Sequence, residues 1–300
     1  MQVHSQQPSG TRPKLNLIGA GSVGTTLFHL FANSGLFDIQ DIHGRDEIRL
    51  AQALSFIGTG NGTTSLAAMR PADIWFVTVP DTQIAEIAFD LASASSSGPA
   101  IAVHCSGFLP ASELGPLSEL GWAVASAHPV MTFADPESSV RDFPGTYCGM
   151  EGDEGVIQIV ASMLQLIGAQ PFTIKPGGKA LYHAAAVISN NLAVVLQAIA
   201  REAWAEAGVP AQISPHLNAA LLSSTAKNVN QLGPTEALTG PAARGDWPVV
   251  ERQAEAVETW HPIAGQAYRS LSLLARRLKR TGSTLLSLRE EEADRTERLG

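Results

Sequence analysis

The feature that most constrains the fold is a change of rhythm along the 300-residue chain. Up to about residue 175, short apolar runs such as "KLNLIGAG", "DIWFVTVPD" and "AIAVHCSG" alternate with amphipathic helical patterns. This alternation is typical of βαβ units, in which helices join parallel strands and cover the sheet. After the Pro-Gly-Gly of 176–178 only helical patterns follow. The sequence therefore predicts an α/β fold with a parallel-sheet domain followed by an all-α domain.

These patterns divide the chain into four segments. We predict a flexible tail at 1–13, a dinucleotide-binding sheet domain at 14–175, a helical substrate and dimerisation domain at 176–288, and a charged tail at 289–300. The pattern from Lys179 to Gly208 is apolar nearly all round, so we expect one long helix that is buried against others.

Composition narrows the class of protein. With 45% hydrophobic and 16% charged residues, the chain is typical of soluble globular proteins, and no run approaches the roughly 20 apolar residues of a membrane span. The N-terminus lacks the apolar core of a secretory signal. Cys105 and Cys148 lie in apolar runs, which fits buried thiols in the cytoplasm. The net charge of −8 argues against nucleic acid and favours a small metabolite as partner.

The glycine-rich turn "GAGSVG" follows the first predicted strand and opens a helix. In a dinucleotide site, Gly19 permits the turn, Gly21 lets the backbone approach a pyrophosphate, and Gly24 lets the helix pack closely. Ser22 and Val23 would then present N–H groups of the first helical turn to the phosphates. A tight turn without a ligand is the alternative, and the strand-turn-helix context favours the dinucleotide.

The tip of the second predicted strand bears on the choice of cofactor. Enzymes that bind NAD usually place a carboxylate there, whereas this sequence has "HGRD". Arg45 could pair with a 2′-phosphate, which favours NADP, with NAD possible. Arg45 could also be an ordinary surface arginine, and Asp46 could cap the next helix.

Two further strand ends belong beside a cofactor, because open α/β sheets bind ligands at the carboxyl ends of their strands. These are Pro80 with Asp81, and Ser106 with Gly107. Asp81 is equally well explained as a helix N-cap.

Reduction of a carbonyl or imine needs a proton donor or polarising group near the nicotinamide. His183 is one candidate, with Asn190 about 20° and Asn191 about 80° from it around a helix. These polar residues could face substrate, with Asn190 as a binding residue, or form a structural polar cluster. His128 ends a strand in "SAHPVM" and is a second candidate, or merely a strand terminator.

A third candidate lies in the loop "LTGPAARGDW", which is rich in polar residues for a connection between helices. Thr239, Arg244 and Asp246 are predicted to contact substrate. Arg244 and Asp246 could instead pair with each other. No motif typical of a metal site is present, so no metal is expected.

Taken together, "LIGAGSVG", "TVPDTQI", "HCSGFLPASELGPL", "SAHPVMTF", "YHAAAVISNN" and "GPTEALTGPAARGD" resemble one family. It joins a Rossmann-like domain to a helical domain catalogued as domain of unknown function 2520. Its layout is similar to those of ketopantoate reductase, pyrroline-carboxylate reductase, deazaflavin-linked NADP reductases and β-hydroxyacid dehydrogenases. The resemblance implies a Rossmann-type sheet and a C-terminal domain like that of 6-phosphogluconate dehydrogenase, which completes the active site and mediates homodimerisation.

The resemblance also bears on single residues. His183 stands where ketopantoate reductase and β-hydroxyacid dehydrogenases have a lysine acid, and Asn191 comes two helical turns later. His128 resembles the histidine that contacts substrate in prephenate dehydrogenases.

The leading hypothesis is an NADP-dependent reductase acting on a carbonyl or imine of a small metabolite, with His183, Asn191 and His128 as catalytic residues. Two alternatives stay open. The chain could bind NADP without turnover as a sensor or scaffold, or it could exchange hydride with a reduced deazaflavin.

Overall fold

The structure is a computed structural model that describes residues 11–94 and 98–285. The predicted tail at 289–300, and most of the one at 1–13, therefore lie outside the described residues.

Eight strands form one sheet, in the order β3-β2-β1-β4-β5-β6-β7-β8. Their bounds are β1 Lys14–Ile18, β2 Asp38–His43, β3 Asn61–Thr63, β4 Ile74–Val77, β5 Ile101–His104, β6 Ala123–Pro129, β7 Tyr147–Gly152 and β8 Gln170–Thr173. Neighbouring strands are parallel except for β6 and β7. The carboxyl ends of β1, β2, β4, β5 and β6 consequently meet at one edge of the sheet.

Helices cover both faces of the sheet. In this part of the chain they are α1 Ser22–Ser34, α2 Glu47–Ile57, α3 Asp81–Ala94, α4 Gly115–Ser118, α5 Pro136–Asp142, α6 Glu154–Leu166 and α7 Lys179–Val187. One apolar cluster joins Phe28 and Phe31 of α1 to Phe76 of β4, at ring-centroid distances of 5.7 and 5.5 Å. A second cluster packs Trp75 and Trp122 on the opposite face. The predicted Rossmann-type architecture is confirmed.

Helices make up the rest of the described chain. They are α8 Ala193–Glu206, α9 Ser214–Leu232, α10 Pro234–Ala237, α11 Pro241–Arg244, α12 Trp247–Trp260 and α13 Pro262–Thr281. The pattern at 235–243 predicts one helix, but two single turns form there. Leu238 is extended and Gly240 adopts a φ of +97°, so the helix cannot continue into Pro241.

The long predicted helix is interrupted. Between α7 and α8 the backbone winds as a π-helix over Ile188–Leu192. The chain divides there into two compact units, 1–189 and 190–300, whereas the sequence predicts a boundary at residues 175–176. The difference arises because α7 packs against the sheet of the first unit.

The structure differs from two expectations about this stretch, namely that no run is apolar enough for a membrane span and that the helix is buried against others. An 18-residue window within Lys179–Glu206 has a mean hydropathy of 1.4, so this stretch is, by length and composition alone, long and apolar enough to cross a membrane. Nor is it buried, because Leu181, Ile188 and Val194 are 76%, 61% and 64% exposed. Apolarity all round a helix does not by itself identify what covers it.

Candidate active site

The glycine-rich turn after β1 is held tightly against the ends of the neighbouring strands. The Gly19 N–H donates to the His43 carbonyl at 3.0 Å, and Gly19 adopts a φ of +103°. A Cβ at this position would lie 2.8 Å from the Thr78 carbonyl group. Both the left-handed conformation and the close approach therefore require glycine.

Helix α1 leaves its first turn open. The first hydrogen bond of the helix runs from the Thr25 N–H to the Gly21 carbonyl, so the N–H groups of Ser22, Val23 and Gly24 have no acceptor within the helix. A Cβ at Gly24 would overlap the Thr78 hydroxyl and lie 2.6 Å from the Gly19 carbonyl oxygen, whereas one at Gly21 would meet nothing within 4 Å. The turn is tight on its inner side and open on its outer side, which suits an anion at the helix N-terminus.

A cavity of about 450 Å³ lies beside this turn. The residues that line it include Gly21, Arg45, Arg49, Thr78, Pro80 and Gln83. The Arg45 guanidinium donates to the Gln83 side-chain carbonyl at 3.0 Å, which places its charge at the wall of the cavity. Arg49, on the first turn of α2, adds a second positive charge that the sequence analysis did not consider.

Asp46 caps the helix that follows it, which is the structural role that the sequence analysis considered. Its Oδ1 accepts from the N–H groups of Ile48 and Arg49, at 2.9 and 3.0 Å, so it is the N-cap of α2. Asp81 is the first residue of α3 and is exposed next to Pro80.

The two histidines that are predicted to be catalytic both lie against Gly107. A Cβ added to Gly107 would lie 2.6 Å from His183 Nδ1 and 2.8 Å from His128 Nε2. The two imidazole rings are 5.8 Å apart at their centroids and nearly perpendicular. His183 Nδ1 is buried and has no hydrogen-bond partner in the described part of the chain. Strand β6 supplies His128 and α7 supplies His183, so residues 55 positions apart share one site.

Ser106 is part of the scaffold of this site. Its Oγ accepts from the N–H groups of Phe108 and Leu109, at 3.1 and 2.9 Å, and so fixes the turn that carries Gly107. Its own N–H donates to His104 Nδ1 at 3.2 Å. The hydroxyl is therefore already occupied by protein groups.

Lys179 is one of two residues at this site that the sequence analysis missed. Its ammonium is buried and donates to the Ser106 carbonyl at 2.6 Å and to Ser126 Oγ at 2.7 Å. Burial lowers the pKa of Lys179 to about 8, against the opposing attraction of Glu151, Cys105 and Asp81. One signal was available, because Lys179 lies one helical turn before His183 and so on the same face of α7.

Tyr182 was also missed, and it orients His128. Its hydroxyl lies 2.9 Å from His128 Nδ1, with the two rings nearly perpendicular. Burial raises the pKa of Tyr182 to about 12, so the phenol keeps its proton. Burial, followed by the charges of Lys179 and His183, lowers the pKa of His128 to about 4. At neutral pH this site therefore holds an uncharged imidazole, a phenol and a buried ammonium.

The match to a known protein family covers the last part of the first unit and most of the second. Residues 146–275 match the family described as Domain of unknown function (DUF2520). Lys179, Tyr182 and His183 lie within the matched segment, whereas Gly107 and His128 precede it. A search of curated protein sequences finds no match.

Solved structures share the fold over nearly the whole chain. Protein TM1727 from Thermotoga maritima is 27% identical, with a TM-score of 0.72, over 89% of this chain and 99% of that one. BF3122 from Bacteroides fragilis, provisionally named an NADP oxidoreductase, is 23% identical with a TM-score of 0.68, over 89% and 98%. An imine reductase from Myxococcus stipitatus, in complex with NADP+, is 16% identical with a TM-score of 0.62, over 91% and 96%.

The remaining predicted residues belong to the second unit and also lie in the segment that matches DUF2520. Asn190 and Asn191 are exposed in the π-helical turn. Thr239 is exposed before α11, Arg244 ends α11, and Asp246 precedes α12 without capping it through its side chain. The expectation that the two asparagines are buried is wrong, so hydrogen bonding in a core does not constrain them.

Proposed function

We propose that this protein is a nicotinamide-dependent oxidoreductase that uses NADPH to reduce a carbonyl or imine of a small metabolite. The proposal rests on one observation: the open helix N-terminus and the pair of imidazoles lie at the same edge of the sheet. The open N-terminus of α1 follows β1, and the pair of imidazoles at Gly107 lies at the ends of β5 and β6. A phosphate cradle and a set of proton donors thus share the edge at which sheets of this type bind ligands.

The residues present fit a dinucleotide. The close packing at Gly19 and Gly24, together with the unpaired N–H groups of Ser22 and Val23, suits a pyrophosphate. Arg45, with Arg49 nearby, would hold a 2′-phosphate, which favours NADP over NAD. The names of BF3122 and of the Myxococcus stipitatus enzyme, an NADP oxidoreductase and an imine reductase with NADP+, support the same choice.

The side chains supply the proton half of the reaction. When bound, the reduced nicotinamide supplies a hydride to the substrate carbon. The Tyr182 oxygen accepts from the Gly149 N–H, so we assign its hydroxyl proton to the bond with His128 Nδ1 and the imidazole proton to Nε2, which lies against Gly107. His128 Nε2–H can then donate to the reacting oxygen or nitrogen, and His183 Nδ1 offers a second hydrogen-bonding group. Asn191 and Asn190 remain proposed to assist, as do Thr239, Arg244 and Asp246.

The direct test is oxidation of NADPH in the presence of keto acids, ketones and cyclic imines, followed by absorbance. We expect turnover with at least one compound and a loss of about tenfold or more in His128→Asn, the size of effect that general acid catalysis allows. Tight binding of NADPH without oxidation across the panel would favour a sensor. Reduction of NADP+ by a reduced deazaflavin, with no organic substrate accepted, would favour hydride exchange with a deazaflavin.

The cofactor preference has its own test. In Arg45→Ala we expect the Kd for NADPH to rise by about tenfold to a hundredfold, while that for NADH changes little, because only the 2′-phosphate loses a charged partner. Arg141→Ala is the matched control, since Arg141 is an exposed arginine paired with Asp142 on α5. Equal weakening of both cofactors in Arg45→Ala would contradict the assignment.

A further inference from the structure

The site contains a buried positive charge that the proposed reaction has not yet used. Lys179 is 2% exposed, and its two hydrogen bonds connect α7 to the ends of β5 and β6 through Ser106 and Ser126. Ser126 lies two residues before His128 on β6, so the two side chains share one face of the strand. The ammonium is consequently anchored directly beside the imidazole that faces Gly107.

His128 and Tyr182 provide uncharged hydrogen-bonding groups beside this ammonium. His128 is held by Tyr182, and His183 Nδ1 faces the same glycine. The acidic side chains that act on Lys179 are engaged or peripheral. Glu151 accepts from the Ala111 N–H at 2.5 Å, and Asp81 is exposed at the start of α3. Among the described residues of the first unit, no carboxylate contacts either imidazole.

This charge distribution treats the two candidate substrates differently. Reduction of a carbonyl moves negative charge onto oxygen, which an adjacent cation and N–H donors stabilise. A protonated imine is a cation before the hydride arrives, so the same groups oppose its binding. The fall in the pKa of His128, caused by burial and then by Lys179 and His183, shows that a positive charge at this position is already disfavoured.

We propose that the substrate presents a neutral carbonyl group rather than a protonated imine, and that the buried ammonium of Lys179 is what selects it. The inference rests on the proposed reductase function and names the substrate class for the same site. In the balanced reaction, the carbonyl carbon gains a hydride from NADPH and forms a C–H bond, and NADPH is oxidised to NADP+. The π-electron pair moves to oxygen, and the oxygen takes the Nε2 proton of His128 while Nδ1 takes the proton of the Tyr182 hydroxyl, so the ring stays neutral; solvent then returns one proton to the phenolate.

The experiment compares matched pairs. Cyclic ketones and cyclic imines of equal ring size, each with and without a carboxylate substituent, are supplied with NADPH at pH 7. We expect kcat/KM for the ketones to exceed that for the imines by about tenfold or more, and Lys179→Met to lower the ketone values by at least that factor. Lys175→Met is the control, because Lys175 is an exposed lysine one turn before α7. A preference of the wild-type protein for imines would overturn the inference and leave the reductase function standing.

A binding measurement decides the question if nothing is turned over, or if Lys179→Met does not fold. Cyclohexanol and cyclohexylammonium are titrated into the wild-type protein with NADP+, and the ¹⁵N signals of the His128 ring are followed. We expect the alcohol to bind more tightly than the ammonium. Tighter binding of the ammonium, or no binding of the alcohol, would overturn the inference. Absence of NADP+ binding would instead contradict the proposed function.

Discussion

At Gly107 there is no space for a side chain, because two imidazoles occupy the position that a Cβ would take. The nearest atoms to an added Cβ belong to His183 and His128, at 2.6 and 2.8 Å, which is closer than real Cβ contacts come. Gly107 does not have a positive φ, so a substitution there would act through crowding and not through backbone strain. The residue therefore reports on the spacing of the two rings.

We predict that Gly107→Ala lowers kcat by about tenfold or more while the Kd for NADPH changes little. Displacing the proton donors slows the reaction but leaves the contacts of the cofactor in place. Steady-state kinetics and fluorescence titration measure the two quantities. Gly155→Ala on α6 is the control, since a Cβ there meets nothing within 4 Å. Unchanged kcat in Gly107→Ala would show that the two rings do not act on substrate.

Two buried histidines make stability depend on pH. Burial lowers the pKa values of His104 and His128 to about 4, against 6.5 in the unfolded chain. Between these values the unfolded chain binds protons that the folded protein does not, so stability is complete above pH 6.5 and falls as the pH approaches 4.

We predict that the free energy of unfolding drops from pH 7 to pH 5 by up to about 2 kcal/mol for each of these two groups. Urea denaturation at the two pH values measures the change. His104→Gln should reduce the pH dependence, whereas His216→Gln, at an exposed position of α9, should not. An unfolding midpoint that is the same at pH 5 and pH 7 would rule out uncharged buried imidazoles.

Residues such as Lys179 show why sequence alone could not complete the site. Its position at the start of a helix suggests a solvated surface charge, and its burial arises only where Ser106 and Ser126 come together from different strands. His128 and His183 were identifiable because histidine at a strand end or on an apolar helix is conspicuous. Their contact across Gly107 depends on tertiary packing and could not be read from spacing.

At the scale of elements, helix α2 depends on a single cap. Asp46 accepts from two N–H groups of its first turn, and Gly58 ends the helix in the left-handed conformation. Arg49, which lines the cavity, sits in that first turn and is held in place by the cap. Capping here therefore affects both stability and the arginine side chains at the cofactor cavity.

We predict that Asp46→Ala destabilises the protein by about 1 kcal/mol, the usual loss for an N-cap, whereas Asp46→Asn loses less. Chemical denaturation measures both. Asp90→Ala on α3 is the control, because it removes a carboxylate from the interior of a helix. Equal stability of Asp46→Ala and the wild-type protein would mean that the capping bonds contribute nothing net.

The strands could be predicted because each buried strand is an apolar run bounded by turn residues, as in "DIWFVTVPD". Strand β3 was not predicted because three residues are too few to show an alternation of apolar and polar side chains. The π-helix at Ile188–Leu192 has no signature in the sequence pattern, so a straight helix was expected there.

At the scale of the whole molecule, the second unit exposes many large apolar side chains. On α8 and α9 these are Val194, Val195, Leu196, Leu217, Leu221, Leu222, Val229 and Leu232. Asn190, Asn191 and Gln197 interrupt the same apolar stretch, and such side chains are costly in lipid. We propose that a second copy of the chain covers this surface and that the protein is a homodimer.

We predict a mass of twice 31.6 kDa by light scattering after gel filtration, and a shift toward the monomer in Val194→Lys. Ile159→Lys is the control, since Ile159 is exposed on α6 of the first unit. A monomer that floats with lipid vesicles would indicate a membrane surface, and a monomer that does not would leave this apolar surface without the proposed partner.

The two cysteines of the chain, Cys105 and Cys148, have thiol pKa values that burial raises to about 12. Thiol reagents attack the thiolate, which is scarce at such values. A single cysteine engineered at an exposed position would therefore react alone under brief labelling at neutral pH. The native sequence can in this way accept one fluorophore or spin label without prior removal of its own cysteines.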